Sequence, residues 1–110
     1  MINVRVRDRD LYAMPLAPIT SGSVGLQVRF AFDAVWENLT KTAVFKGSGT
    51  TEAVTLTENT CEVPAEVLET PGDLLWIGVY GVNDNETVVI PTVWGKAGYI
   101  YEGAAVPETI

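Results

Sequence analysis

Between Val24 and Phe32 every second residue is apolar or aromatic: Val24, Leu26, Val28, Phe30 and Phe32 alternate with Gly25, Gln27, Arg29 and Ala31. A period of two puts one set of side chains on one face of an extended chain, and a helix of period 3.6 cannot gather them. The segment is therefore predicted as a strand with one face in a core. The same pattern recurs at Ile2, Val4 and Val6, which alternate with Asn3, Arg5 and Arg7. Lys41 to Lys46 also reads as a strand, with Thr42, Val44 and Lys46 on one face and Ala43 and Phe45 on the other. So does Glu52 to Thr57, with Val54 and Leu56 on one side, and Thr60 to Val63 is short and extended. Leu74 to Val82 is almost wholly apolar. Gly78 and Gly81 would weaken a helix there, and Val79 and Tyr80 prefer extended geometry, so this run is predicted as a central strand buried on both faces.

The breaks between these segments carry turn chemistry. Residues 13–23 hold Pro15, Pro18, Ser21, Gly22 and Ser23 and read as a loop. Asp33 to Thr40 reads as a turn carrying Trp36 and Leu39, and Gly47-Ser48-Gly49 as another. Pro64 opens one or two helical turns over Ala65 to Glu69, and Pro71-Gly72 stops them. Asn83-Asp84-Asn85 is a hairpin loop, Glu86 to Thr92 returns as a strand that stops at Pro91, Gly95-Lys96 turns, and Ala97 to Tyr101 is a last strand. Fifteen valines and twelve threonines against eight leucines favour strands throughout. The expectation is an all-β sandwich of seven to eight strands with one short helical turn, occupying residues 1–103 as one domain, with 104–110 as a linker. Leu26, Val28, Phe30, Val44, Ile77 and Val79 are predicted to share its core.

Composition narrows the chemistry. The chain has no histidine, which removes His-based triads, His metal sets and the commonest general base. A lone cysteine, Cys61, makes neither an intramolecular disulfide nor a thiolate zinc cage, and reads as a small buried hydrophobe in a strand. The nearest carboxylate pairs, Asp8 with Asp10 and Asp33 with Glu37, read as surface turn acids. No catalytic residue, cofactor or metal is expected. The net charge is −7, which disfavours nucleic acid, and no run approaches 18 apolar residues, so no membrane span is expected. The opening Met1 to Arg7 has no signal-peptide apolar region, which predicts synthesis in the cytoplasm.

Two features suit binding. Arg5, Arg7 and Arg9 form the one basic patch. It reads either as the solvated face of an edge strand, where charge deters unwanted pairing, or as an electrostatic dock for an acidic neighbour. Aromatic residues are the second feature. Trp76 and Tyr80 are expected in the core or beneath the helical turn. Tyr99 and Tyr101 share one face of the last strand, near Trp94. Turned inward they are core, and turned outward they make a patch suited to a protein interface. A sugar-binding face would also use such rings.

One long run resembles a known family. It covers Val28 to Phe45 (VRFAFDAVWENLTKTAVF), then Cys61 to Leu68 (CEVPAEVL), Gly78-Val79-Tyr80-Gly81 and Ile90-Pro91-Thr92, most of residues 24–103. It resembles immunoglobulin-like domains in tail, baseplate and fibre proteins of phages and prophages of Gram-positive bacteria, with the N-terminal domain of baseplate upper proteins as the nearest type. The resemblance implies an immunoglobulin-like antiparallel sandwich that anchors a longer protein to a virion. Its partners would be other virion proteins, and copies of itself joined through a following stalk. Head fibre or capsid decoration domains share this sandwich, and a carbohydrate-binding module touching host surface glycans is the other binding function left open. No catalytic residues come with the resemblance, and the first 23 residues fall outside it.

Overall fold

The computed structural model describes residues 1–102, so the predicted linker at 104–110 lies outside the described residues. Nine strands form two packed sheets: β1 (Ile2–Arg7), β2 (Asp10–Pro15), β3 (Ile19–Thr20), β4 (Gln27–Phe32), β5 (Thr40–Gly47), β6 (Thr50–Thr55), β7 (Thr60–Glu62), β8 (Leu74–Val82) and β9 (Val88–Tyr101). One sheet has the order β2-β1-β4-β7 and the other β3-β9-β8-β5-β6. Two short 3-10 turns, Ala34–Trp36 and Ala65–Leu68, close the corners. Most neighbours are antiparallel, but β1 runs parallel to β4, and β3 parallel to β9.

The core follows the alternation. Val4 and Val6 of β1 and Val28 and Phe30 of β4 point inward from one sheet. Phe45, Leu75, Ile77 and Val79 meet them from the other, all fully buried in one cluster. Burying each such side chain stabilises the fold by about 1.5–3 kcal/mol. Leu26 is half-buried against this cluster. Val44 is buried too, but it lies opposite Gly78 and Ala53 on the far side of the sheet from Phe45, so it belongs to the outer face and not to the shared core. Val24 is 85% exposed, because the chain becomes a strand only at Gln27.

The segments that differ from expectation do so for identifiable reasons. The loop predicted at 13–23 contains the end of β2 and the two-residue β3. Pro15 ends an edge strand, where no hydrogen bond to an outer neighbour is needed. The turn predicted at Gly95-Lys96 is absent, and β9 runs unbroken through Pro91 and Gly95 for 14 residues. Pro91 is tolerated because β3 pairs only with Ile100 and Tyr101, leaving the rest of that β9 edge unpaired by β3. The register with β8 slips at Ala97, between Lys96 and Gly98, as in a β-bulge with Gly98 at φ +139, and slips again between Val93 and Val88.

Leu74–Val82 is central, between β9 and β5, but only one of its faces is core. Leu75, Ile77 and Val79 point in. Trp76 and Tyr80 point out and are half-buried, so neither is a core residue. The glycines of this run make room instead. A Cβ on Gly78 would meet the Trp94 ring at 2.8 Å and the Thr92 methyl at 2.9 Å, so the Trp94 indole lies down across β8.

Candidate interaction surfaces

Each sheet turns an outer face to solvent, and the two faces differ in chemistry. On the five-stranded sheet, cross-strand register sets Trp94 opposite Gly78, Lys96 opposite Trp76 and Tyr99 opposite Leu74. Lys46 stands opposite Trp76 on its other side. Partners across a ladder point to the same face, so Trp76, Trp94, Lys96, Tyr99 and, two residues on, Tyr101 share one surface. Trp94, Tyr99 and Tyr101 are 43%, 63% and 59% exposed. Both tyrosines therefore point outward, as the interface alternative requires. The Lys96 ammonium lies 5.5 Å from the Trp76 ring centroid, and this contact orients the lysine along the face. The outward positions of β5, β6, β8 and β9 include no acid, because Glu52 of β6 pairs with inward-facing Phe45.

The four-stranded sheet carries the arginines. Arg5 and Arg7 are exposed on β1, with Arg5 opposite Tyr12 and Arg7 opposite Asp10 of β2. Arg29 of β4 stands opposite Asn3 on the same face. Arg9 sits at the β1–β2 hairpin, beside Asp8. β1 is an interior strand, so Arg5 and Arg7 do not guard an edge as the edge-strand reading supposed. Tyr12 and Met14 stand exposed on edge strand β2. The sequence reading missed them and Arg29. Period-two alternation through Tyr12 and Met14 was the available signal, hidden by the prolines that follow.

The arginine hairpin is held in place by an acid read as a surface residue. Asp33 Oδ2 accepts the Asp8 backbone N–H at 2.8 Å, and the Asp33 N–H donates to the Val6 carbonyl at 3.2 Å. The Trp36 Nε1–H donates to the Asp8 carbonyl at 3.0 Å. Asp8 adopts φ +53, a left-handed conformation that Asp tolerates better than most residues. Asp33 Oδ1 is buried without a protein partner. Asp33 and Trp36 thus tie the β1–β2 turn to the corner between the sheets. Glu37 plays no part in this arrangement and is exposed.

Cys61 lies in β7 opposite Val28, half-buried. Burial pushes its thiol up to about 11 from 9.0. The folded state therefore favours the neutral thiol, a preference present below the unfolded value and lost as pH rises through about 11. The thiolate is the nucleophile, so at pH 8 Cys61 should react with Ellman's reagent at least about tenfold more slowly than a free thiol, and at the free-thiol rate once unfolded in urea. Equal rates in both states would show that β7 does not shield it.

Among the described residues no three His, Cys, Asp or Glu side chains gather as a metal site, and no helix is long and apolar enough to cross a membrane. No protein-family model, curated protein or solved structure matches the chain.

Proposed function

We propose that this chain is a docking domain of a bacteriophage particle, made in the host cytoplasm and built into tail, baseplate or fibre through protein–protein contacts. The observation that carries the docking role is the acid-free outer face holding exposed Trp94, Tyr99 and Tyr101. Aromatic residues are enriched at protein interfaces, and charged residues are depleted from interface cores. The phage setting rests on the resemblance over most of residues 24–103, and the chain path supports its immunoglobulin-like form. In such sandwiches strands B and E share one sheet, while C, F and G share the other. Here β4 pairs with β7, and β9, β8 and β5 lie side by side in the second sheet. A sugar-binding role draws on the same rings. The threonines, lysines and tyrosine hydroxyls at the outward strand positions around Trp94 can hydrogen-bond sugar hydroxyls, so a glycan array separates the two readings.

Particles purified from a lysogen carrying the gene should contain the protein at a fixed copy number, read by quantitative mass spectrometry. Single alanine substitutions of Trp94, Tyr99 and Tyr101 should each weaken incorporation about fivefold, the size of an interface contact worth about 1 kcal/mol, with little salt dependence. Absence of the wild-type protein from particles would overturn the proposal. Binding to a host glycan array, lost in Trp94→Ala, would favour the carbohydrate reading.

A further inference from the structure

We infer that the groove where β2 meets β9 takes an extended acidic segment of a neighbouring protein, laid beside β2 at Ala13, past the point where β9 crosses. This deepens the docking role proposed above and rests on it. The groove is an open depression of about 900 Å³ bordered by Arg5 and Arg7 of β1, Tyr12 and Met14 of β2, and Lys96 of β9. Three of the seven cations of a chain with net charge −7 thus line one depression. Asp10 is the acid that borders it, at the end beside Arg7. Among the described residues Arg5, Arg7 and Lys96 have no ion-pair partner. Their charge is available to a ligand.

The backbone decides what shape that ligand takes. β2 is the last hydrogen-bonded strand of its sheet; β9 crosses it at Leu11 and Pro15 has no N–H, so the outward main-chain groups left open between them are those of Ala13. An extended peptide adds to such an edge through main-chain hydrogen bonds, and its alternate side chains supply specificity. Residues two apart on one strand are roughly 7 Å apart on the same face. Arg5 and Arg7 have this spacing, which matches carboxylates at every second position of the added strand. Tyr12 and Met14, 58% and 55% exposed, give its stems an apolar bed. Lys96 reaches in from the other sheet and joins the groove to the aromatic face.

The test uses the whole chain and a fluorescein-labelled synthetic peptide alternating Glu and Val, followed by anisotropy at low and at physiological salt. The peptide should bind, more weakly as salt rises, and a Gln-Val peptide should bind roughly tenfold less tightly. The double variant Arg5→Glu/Arg7→Glu and the single variant Lys96→Glu should each lose roughly tenfold, whereas Lys46→Glu, the same charge change outside the groove, should stay within about twofold. The Ala13 amide should gain protection from hydrogen exchange in the complex. The inference is overturned if the Gln-Val peptide binds equally well, if the reversals have no effect, or if no peptide binds. It is also overturned if heparin binds and the Glu-Val peptide does not, which would assign the groove to an anionic glycan. Failed peptide binding with wild-type copy number on particles would remove the groove and leave the docking domain. Peptide binding by a protein absent from particles would do the reverse.

Discussion

Replacing Trp36 with alanine is expected to lower stability by about 3–5 kcal/mol, the range for emptying a large aromatic site in a core. A domain of this size holds only about 5–15 kcal/mol in total, so much of the folded population is at risk. Trp36 has no exposed surface. Its ring lies 5.1 Å from that of Phe32, and it packs so closely over β8 that a Cβ on Gly81 would meet it at 3.2 Å. Its Nε1–H also donates to the Asp8 carbonyl, which ties the arginine hairpin to the core. Trp36→Phe separates the two roles. It keeps most of the buried volume but orphans that carbonyl, for a further cost of about 1 kcal/mol. Urea unfolding should show the midpoint falling steeply in Trp36→Ala and modestly in Trp36→Phe, at unchanged slope. A Trp36→Ala midpoint within error of wild type would mean that this corner does not pin the fold.

The place of Trp36 also shows how far the sequence could be read. Strands whose apolar residues alternate, β1 and β4, appear within about three residues of where the alternation puts them, because a buried face enforces period two. The corner turns were legible too, since Gly47-Ser48-Gly49 and Pro64 constrain the backbone locally. In the structure Ser48 and Gly49 have φ +54 and +73, and the Ser48 hydroxyl donates to the Val67 carbonyl. The central strand β8 exposed the limit. An apolar run indicates burial without saying against what, and here the outer half is covered by Trp94 lying over Gly78 rather than by another layer. The long β9 reads as two strands in the sequence for a similar reason. Pro91 and Gly95 mark turns in an isolated chain, and their tolerance depends on which edge is unpaired and which strand crosses, both long-range facts.

The candidate surfaces were legible in part for the same reason. Arg5 and Arg7, and Tyr99 and Tyr101, were paired correctly by alternation, because each pair sits two apart on one strand. What alternation cannot supply is the lateral neighbour. That β1 lies inside its sheet, that Arg29 joins its face, and that Lys96 comes round from the other sheet all depend on strand order. Asp33 was underestimated because a carboxylate that accepts a backbone N–H from a residue 25 positions away leaves no local signature.

Strand crossing sets the last expected result. At Gly95 a Cβ would lie 2.7 Å from the Leu11 carbonyl oxygen and 2.6 Å from its Cδ2, so β2 crosses β9 where β9 has no side chain. A carbonyl oxygen fixed in a strand cannot rotate away as a side chain can. Gly95→Val should therefore push β2 off β9 and cost about 2–3 kcal/mol, the upper part of the usual overpacking range. For a domain of this length that lowers the melting temperature by roughly 10–20 °C. Leu11→Ala should rescue little of the loss in Gly95→Ala, because it removes the methyl contact and leaves the carbonyl in place; a double-mutant cycle measures this directly. The same displacement would reshape the groove between β2 and β9, so the Gly95→Ala protein, still folded at low temperature, should bind the Glu-Val peptide more weakly with its cations intact. If Gly95→Val melts within a degree or two of wild type, β2 is not clamped at this point, and the groove beside it has no fixed wall.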